Sequence, residues 1–305
     1  LLLPLLLLSL LAACGESSSP LDRIGQEAST ATPAPAAVDS PPVTPVAPVT
    51  AVPPTEAGSF IAADDALIRY TGRFDFSDPK RPRFDWPAVT IEAAFEGSSI
   101  AALLEDGLNS YNVTIDGQTS VLRTKPGQTR YPLAQGLGDG KHTARLTKRT
   151  ETFYGTPRFL GFELEDGREL SALPEARKRR IEFIGDSITA GYGVEGSSPT
   201  CVYSPETENA ALTYAAQTAE QLDAAYSIAA VSGVGVVRNY NSEGAMSAGT
   251  MLSYYGRTIA NDAEENWNFA GWQPDAVVIN LGTNDYSTTP HPAGEVFLQG
   301  YTNLI

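Results

Sequence analysis

Short apolar segments separated by turn residues dominate the chain from residue 59 to about residue 173. Many of them combine alternating polar and apolar positions with β-branched or aromatic residues, a pattern that predicts strands. These predicted strands cover residues 68–76, 88–95, 99–104, 109–115, 120–124, 141–149 and 159–164. Asp116-Gly117 and Asp139-Gly140 are typical of tight hairpin turns. We therefore predict a β-sandwich of the jelly-roll kind over residues 59–173.

After the basic run 177–180, the pattern changes to strands that alternate with helical stretches. Largely apolar runs predict buried strands at residues 181–184, 226–231 and 275–281. Residues 209–224 have apolar positions at helical spacing. One face of this predicted helix holds Leu212, Ala215, Ala216, Ala219 and Leu222. We predict a doubly wound α/β/α domain over residues 174–305, with its site at the carboxyl ends of the strands.

Residues 1–58 differ from both of these regions. Residues 1–14 join an apolar run to Leu11-Ala12-Ala13-Cys14, which resembles the bacterial lipoprotein signal whose cysteine is lipidated after cleavage. The run is too short to span a bilayer, although an apolar stub that merely contains a cysteine stays open. Residues 15–58 are rich in Pro, Ala and Thr, as in semi-stiff tethers and glycosylated stalks. We expect an exported protein, either secreted or held at the cell envelope through a lipid on Cys14.

Charge and composition narrow the classes of partner. A formal net charge of -15 argues against nucleic acid and is compatible with neutral partners such as sugars. Two cysteines so far apart as Cys14 and Cys201 do not support a metal site, and no organic cofactor is implied. Cys201 either pairs with a cysteine outside this sequence or is a free structural thiol, and the sequence leaves both open.

A turn after the predicted strand 181–184 holds the candidate nucleophile, Ser187. A serine hydroxyl attacks a carbonyl only when a base takes its proton and donors receive the negative charge that forms on the oxygen. If Ile188 and the residues after it are helical, free backbone N–H groups and the positive helix end lie next to Ser187. A serine at this position can also be a plain helix cap, so further motifs decide between the two interpretations.

Such motifs follow at the ends of all three predicted strands. Gly185-Asp186-Ser187-Ile188-Thr189-Ala190-Gly191-Tyr192-Gly193 resembles the first block of the SGNH (GDSL) hydrolases. Ser232-Gly233-Val234-Gly235 matches their second block, and Leu281-Gly282-Thr283-Asn284-Asp285 resembles their third.

The resemblance implies a role for each of these positions. Ser187 attacks the carbonyl, while the amide of Ser187, the amide of Gly233 and the side chain of Asn284 hold the oxyanion. Gly235 is the reserve for Gly233. Asp186 and Asp285 are interpreted as carboxylates that brace the loops, because the acid of the family's triad lies near the C-terminus.

The base that Ser187 requires is missing from this pattern. The chain has two histidines, His142 and His291, and the family's Asp-x-x-His block is absent from the α/β region. His291 lies on the loop Pro290-His291-Pro292, and His142 follows a hairpin turn that precedes the serine. We assign the base to neither of them and expect it beyond Ile305, so the chain as printed is predicted to be inactive or nearly so.

Motifs in the β-sandwich narrow the resemblance further. They are Tyr70-Thr71-Gly72-Arg73-Phe74, Phe84-Asp85-Trp86-Pro87 and Phe95-Glu96-Gly97. With a β-sandwich ahead of an SGNH domain, residues 66–305 resemble the second carbohydrate esterase family, acetyl esterases of xylan and glucomannan. The resemblance implies a serine esterase that removes O-acetyl groups from polysaccharides or oligosaccharides through an acetyl-enzyme intermediate. Two alternatives stay open, another SGNH acyl-ester hydrolase of the lipase or thioesterase type and a non-catalytic carbohydrate-binding lipoprotein.

Overall fold

The computed structural model describes residues 58–305. The predictions made for residues 1–57, including lipidation of Cys14, lie outside the described residues. None of the helices within residues 58–305 is long and apolar enough to cross a membrane.

Antiparallel strands build the first half of the described chain. Their bounds are β1 Ser59–Ala62, β2 Arg69–Thr71, β3 Thr90–Glu96, β4 Ile100–Asp106, β5 Ser110–Ile115, β6 Gln118–Arg123, β7 Gly127–Ala134, β8 Lys141–Lys148, β9 Arg158–Leu164 and β10 Leu170–Ser171. One sheet has the order β1-β9-β4-β7, and the other has the order β10-β3-β8-β5-β6 with β2 paired to β3. The two sheets form the predicted β-sandwich of the jelly-roll kind, and aromatic side chains fill its core: Phe84, Trp86, Phe95, Tyr111, Phe159 and Phe162.

Some strands differ from their sequence prediction. The predicted strand 68–76 is only the three-residue β2, and β1, β7 and β10 were not predicted. Strand β7 contains Pro132, which cannot donate a backbone hydrogen bond. Within residues 58–305, β7 lies at the edge of its sheet and pairs with β4 alone, and the register shifts between Pro132 and Ala134.

Parallel strands and short helices build the second half. The strands are β11 Arg179–Gly185, β12 Ala224–Ala230 and β13 Ala276–Asn280, in the order β12-β11-β13. The α-helices are α1 Ser187–Ala190, α2 Tyr214–Gln221, α3 Met251–Tyr255 and α4 Gly294–Leu304, and 3-10 helices cover Pro205–Thr207 and Ala210–Leu212. A further 3-10 helix, Thr152–Tyr154, lies between β8 and β9 of the first half. This is the predicted α/β architecture, with β11 at the centre of its sheet.

Two predictions for this half were wrong in part. The helix predicted over 209–224 is broken at Thr213, whose hydroxyl caps α2 by accepting from the N–H of Ala216. Leu212 lies before this break and Leu222 follows the end of α2, and both are exposed, whereas Ala215, Ala216 and Ala219 within α2 are buried. The strand predicted as buried over 275–281 is β13, whose Val277 is 47% exposed; within residues 58–305, β13 pairs with β11 alone.

Buried polar contacts fix the sandwich against the α/β half. The indole Nε1 of Trp86 donates to the carbonyl oxygen of Thr258 at 3.0 Å, and Trp86 is fully buried. The carboxylate of Asp85 accepts from the backbone N–H groups of Ala260 and Asn261 at 2.8 and 2.9 Å. Trp86 is therefore a core residue, and its ring has no access to a sugar.

Candidate active site

The three predicted motifs meet at one edge of the parallel sheet. Strand β11 lies between β12 and β13, and Gly185 at its end is in register with Ala230 of β12 and Asn280 of β13. Each strand is followed directly by one of the motifs. Because parallel strands end at the same edge of a sheet, the turn with Ser187, the loop with Gly233 and the loop with Asn284 are neighbours.

Ser187 is the first residue of α1 and is half-buried. Asp186 caps this single helical turn, since its Oδ1 accepts from the N–H of Ile188 at 3.0 Å. The capping role that the sequence left open for Ser187 thus belongs to Asp186 instead. The hydroxyl of Ser187 is not needed to cap the N-terminus of the helix and stays available for chemistry.

Backbone donors distinguish Gly233 from its reserve, Gly235. The N–H of Gly235 donates to Oδ1 of Asn239 at 3.1 Å, and a Cβ on Gly235 would lie 2.0 Å from the carbonyl oxygen of Arg238. Gly233 has φ +77° and open space around its Cα. Among residues 58–305, no acceptor receives the N–H of Gly233 or that of Ser187. These two N–H groups can therefore donate to an oxyanion, whereas that of Gly235 is occupied.

Asn284 is buried and its amide is already engaged. Its Nδ2 donates to Oδ2 of Asp186 at 3.2 Å and to the carbonyl oxygen of Val234 at 3.0 Å. These bonds join the third loop to the other two, and they hold the amide beside Asp186, the neighbour of Ser187. An oxyanion at Ser187 would have to share or replace one of the two acceptors.

The two aspartates of the motifs brace the loops, as predicted. Asp285 is fully buried and accepts from the N–H groups of Val236, Val237 and Arg238 at 2.9, 2.8 and 2.9 Å. Burial, with a smaller contribution from the charge of Asp285, raises the pKa of the Asp186 carboxyl to about 6. Neither carboxylate accepts a bond from a histidine within the described residues.

One residue at the site was missed by the sequence analysis. Glu151, which follows β8, is fully buried, and its Oε2 accepts from the N–H of Ser232 at 2.7 Å while its Oε1 accepts from the Ser232 hydroxyl. Ser232 directly precedes Gly233. The two partners are 81 residues apart in the chain and belong to different halves of the fold, so no local motif announces their contact.

The two histidines differ in their contacts, because His142 is hydrogen-bonded within the sandwich and His291 packs against an aromatic ring. His142 is in the sandwich, where its Nδ1 lies 2.6 Å from Oδ2 of Asp116 and its Nε2 lies 2.8 Å from the carbonyl oxygen of Gly138. The hydrogen bond with Asp116 is the main cause that raises the pKa of His142. His291 is exposed and packs edge-on against the ring of Tyr286, with 5.7 Å between the ring centroids.

No group of three or more His, Cys, Asp or Glu side chains within residues 58–305 is arranged to hold a metal ion. Cys201 is partly buried in the loop after α1. Its Sγ packs closely against Gly196, where an added Cβ would lie 2.5 Å away.

Comparison with known families divides the chain in the same way. Residues 70–174 match the family described as carbohydrate esterase 2 N-terminal. Residues 183–305 match the GDSL-like lipase/acylhydrolase family. The sandwich and the parallel sheet with its three loops together define a GDSL-like hydrolase domain that follows a jelly roll.

Individual relatives narrow this class to one family. The chain is 41% identical over 214 residues to an acetylxylan esterase/glucomannan deacetylase of Cellvibrio japonicus, covering 70% of this chain and 58% of the relative. It is 38% identical to the cellulase/esterase CelE of Acetivibrio thermocellus, covering 79% of this chain and 29% of that protein. A solved family two carbohydrate esterase of Clostridium thermocellum, in complex with cellohexaose, superposes with a TM-score of 0.73 at 37% identity, covering 78% of this chain and 72% of the other.

The chain belongs to carbohydrate esterase family 2. It spans less than two thirds of the length of the two curated relatives given above.

Proposed function

We propose that this protein is a serine esterase that removes O-acetyl groups from plant cell-wall polysaccharides of the xylan or glucomannan type. The observation that carries this proposal is the pair of N–H groups of Ser187 and Gly233, which have no acceptor within residues 58–305 and lie beside a serine at the carboxyl ends of adjacent parallel strands. The names of the relatives from Cellvibrio japonicus and Acetivibrio thermocellus support an ester of a polysaccharide as the substrate. The strongly acidic chain is compatible with a neutral sugar polymer.

The chemistry assigns one step to each group. The Oγ of Ser187 gives its proton to a general base and forms a bond to the acetyl carbonyl carbon, and the π electrons of the carbonyl move to its oxygen. The resulting oxyanion accepts hydrogen bonds from the N–H groups of Ser187 and Gly233. Collapse of this intermediate breaks the bond between the carbonyl carbon and the sugar oxygen, which takes the proton from the base, and leaves an acetyl group on Ser187. Water then gives a proton to the same base as its oxygen attacks the acetyl-enzyme, and the Oγ of Ser187 takes that proton as acetate is released.

Asn284 is the third donor in this scheme. Its Nδ2 has two hydrogens, and the 3.2 Å bond to Asp186 is the longer of its two bonds. An oxyanion on Ser187 competes with the Asp186 carboxylate for that hydrogen, and protonation of Asp186, whose pKa is raised to about 6, weakens the competitor. The bond to Val234 then keeps the amide in place.

Neither histidine of the chain is assigned as the base in this proposal. His142 uses both ring nitrogens within the sandwich, on Asp116 and Gly138, so it has no free nitrogen for the serine. His291 is on an exposed loop beside Tyr286. The variants His142→Ala and His291→Ala of the full-length protein are expected to keep kcat within about threefold of wild type, and a loss of a hundredfold in either would assign the base to that residue.

Acetate release from acetylated xylan and acetylated glucomannan tests the proposed function directly. The full-length wild-type protein is expected to release acetate from at least one of them, and Ser187→Ala is expected to lower the rate by at least about a thousandfold. The matched control is Ser253→Ala, a serine of α3 whose hydroxyl bonds to the Thr250 carbonyl oxygen. Faster hydrolysis of long-chain than of acetyl esters would favour the lipase-like alternative, and binding of xylan without acetate release would favour the binding-protein alternative.

We propose further that the protein is exported and anchored through a lipid on Cys14. The support is the apolar run before Leu11-Ala12-Ala13-Cys14 and the proline-rich segment after it. Mass spectrometry of the N-terminal peptide from the native host is expected to detect a diacylated Cys14, and Cys14→Ser is expected to remove the protein from the membrane fraction. An unmodified Cys14 in the mature protein would contradict this assignment.

A further inference from the structure

A buried carboxylate from the β-sandwich holds the loop that carries Gly233. Both oxygens of Glu151 are used on one residue, Ser232, since one accepts from its backbone N–H at 2.7 Å and the other accepts from its hydroxyl. Two bonds from one rigid carboxylate fix both the backbone and the side chain of Ser232. These bonds therefore fix the Ser232 end of the peptide that joins Ser232 to Gly233. The N–H of Gly233 in this peptide is the candidate oxyanion donor.

The other side of the Gly233 peptide is fixed by the α/β half itself. The carbonyl oxygen of Gly233 accepts from the N–H of Tyr240 at 2.8 Å, and the N–H of Val234 donates to the carbonyl oxygen of Val231 at 3.3 Å. Gly233 itself has φ +77°, a conformation that only glycine adopts without strain. Because glycine is the most flexible residue, the direction of its N–H depends on these neighbouring bonds.

Glu151 is itself held in place by a network of buried charged groups. Its N–H donates to Oε1 of Glu208 at 2.7 Å, and its carbonyl oxygen accepts from Nζ of Lys148 at 3.0 Å. Lys148 is fully buried and also donates to the carbonyl oxygens of Asp85 and Thr150.

Other titratable and charged groups face this network from both halves of the fold. They are Asp85 and Asp106 near Lys148, Arg149 and Tyr203 near Glu208, and Tyr154, whose hydroxyl lies 2.6 Å from that of Tyr203. A network with so many partners leaves the Glu151 side chain little freedom to move.

From these contacts we infer that Glu151 is a positioning residue for the esterase reaction, through which the β-sandwich orients the Gly233 N–H toward the oxyanion. The inference rests on the proposed function, because it takes Gly233 as an oxyanion donor. It assigns the sandwich a part in the chemical step as well as in stability. Glu151 acts through Ser232 and does not contact the reacting atoms.

The expected effect follows from when the donor is used. The Gly233 N–H bonds most strongly to the full negative charge of the tetrahedral intermediate, so misdirecting it lowers kcat more than it changes KM. Removal of one oxyanion donor costs about a hundredfold to a thousandfold in kcat in other serine hydrolases. If the Gly233 N–H is present but misdirected, kcat should fall by part of that hundredfold to thousandfold factor.

Three variants separate the contribution of each bond. Glu151→Ala removes both acceptors and is expected to lower kcat at least about tenfold, with KM within about twofold of wild type. Glu151→Gln keeps an oxygen for the Ser232 N–H and offers an N–H to the Ser232 hydroxyl, so it is expected to recover kcat to within about threefold of wild type. Ser232→Ala loses only the hydroxyl bond and should fall between them.

Trp86 provides the matched control. Like Glu151, it is a fully buried sandwich residue whose side chain bonds to the backbone of the α/β half, since its Nε1 donates to the carbonyl oxygen of Thr258 at 3.0 Å. Thr258 is not part of the three active-site loops. Trp86→Phe is therefore expected to lower the Tm while kcat stays within about twofold of wild type.

The experiment measures kcat, KM and Tm for these four variants and Ser187→Ala, with 4-nitrophenyl acetate and acetylated xylan as substrates of the full-length protein. The order wild type, Glu151→Gln, Ser232→Ala, Glu151→Ala in falling kcat, with Trp86→Phe near wild type, supports the inference. A folded Glu151→Ala with wild-type kcat overturns it, and so does an equal loss of kcat in Trp86→Phe. If Glu151→Ala does not fold, a wild-type kcat in Ser232→Ala overturns it.

The same data keep the two proposals apart. Wild-type activity that is lost in Ser187→Ala supports the proposed function whatever Glu151 does. Wild-type activity that survives in Ser187→Ala, or no ester hydrolysis by the wild type, contradicts the proposed function and removes the basis of the inference with it.

Discussion

Arg73 of the β-sandwich and Glu182 of β11 form an ion pair that is closed to solvent, with 3.0 Å between Nη2 and Oε1. The guanidinium also donates to the carbonyl oxygens of Tyr255 and Arg257 and lies about 5 Å from the centre of the Tyr255 ring. Further aromatic rings enclose it, those of Trp86, Trp267 and Phe269. This cage joins the sandwich to the strand that ends at Ser187.

Breaking this ion pair should destabilise the whole protein. Arg73→Ala leaves the carboxylate of Glu182 buried without its cation, and such a loss costs about 3–5 kcal/mol. The double variant Arg73→Ala/Glu182→Gln should be less destabilised than the sum of the single variants, because no uncompensated charge remains. Urea unfolding followed by circular dichroism measures the three free energies of unfolding. Additive losses would show that the two side chains do not interact.

Loss of the Asp285 carboxylate should loosen the loop that follows Gly235. Asp285→Ala leaves the three buried N–H groups of Val236, Val237 and Arg238 without an acceptor, at about 1–3 kcal/mol for each group that water cannot reach. Asp262→Ala is the control. This partly exposed aspartate forms a 3.4 Å ion pair with Arg83, which is worth at most about 1 kcal/mol, and accepts from the N–H of Glu264 at 3.1 Å. Thermal unfolding compares the two variants, and equal Tm values would contradict the bracing role.

Alanine substitutions should distinguish the two glycines of the second motif. Gly235→Ala places a Cβ 2.0 Å from the carbonyl oxygen of Arg238 and 2.5 Å from Oδ2 of Asp285, and neither atom can move without breaking the loop. At Gly233 the nearest atom lies 3.8 Å away, so alanine meets only the strain of φ +77°, about 1–2 kcal/mol. Gly235→Ala is expected to have the lower Tm by a wide margin. A Tm lower in Gly233→Ala than in Gly235→Ala would show that backbone strain outweighs the clash.

Stability should fall as the pH rises toward neutrality, in part because of Glu151. Burial first, and then the charge of Glu208, raises the pKa of the Glu151 carboxyl to about 7, from about 4.3 in an unfolded chain. The folded protein thus binds this proton more tightly than the unfolded chain does. The contribution to stability is complete below about pH 4 and is lost as the pH rises through about 7.

Glu151→Gln removes this titration and leaves that of Asp186, which has the same direction, unchanged. We expect the Tm of Glu151→Gln to rise relative to that of wild type between pH 5 and pH 8, as measured by circular dichroism in buffers of equal ionic strength. Glu208→Gln removes the like charge near Glu151 and should also reduce the fall of the Tm with rising pH. A Tm difference between Glu151→Gln and wild type that stays constant over this range would contradict the raised pKa.

Local patterns in the sequence predicted the elements that depend on neighbouring residues. The hairpin turn at Asp116-Gly117 joins β5 to β6, and the motif strand 181–184 lies within β11, as expected from alternation and turn residues. Prediction failed at β7, where a distant partner decides the outcome, since Pro132 lies on a strand that pairs with β4 alone within residues 58–305. It also failed at Thr213, where a local cap that the periodicity did not reveal interrupts the predicted helix.

The sequence by itself determined the order of a sandwich and an α/β half, and it placed Ser187, Gly233 and Asn284 each just after a strand, since motif spacing and periodicity are local properties. Only the tertiary structure decided which N–H groups have no acceptor within residues 58–305. It also decided that the N–H of Gly235 donates to Asn239 and that Glu151, from the other half of the fold, accepts from Ser232. Hydrogen bonds and burial depend on side chains brought together from distant parts of the chain. No pattern of neighbouring residues can specify such contacts.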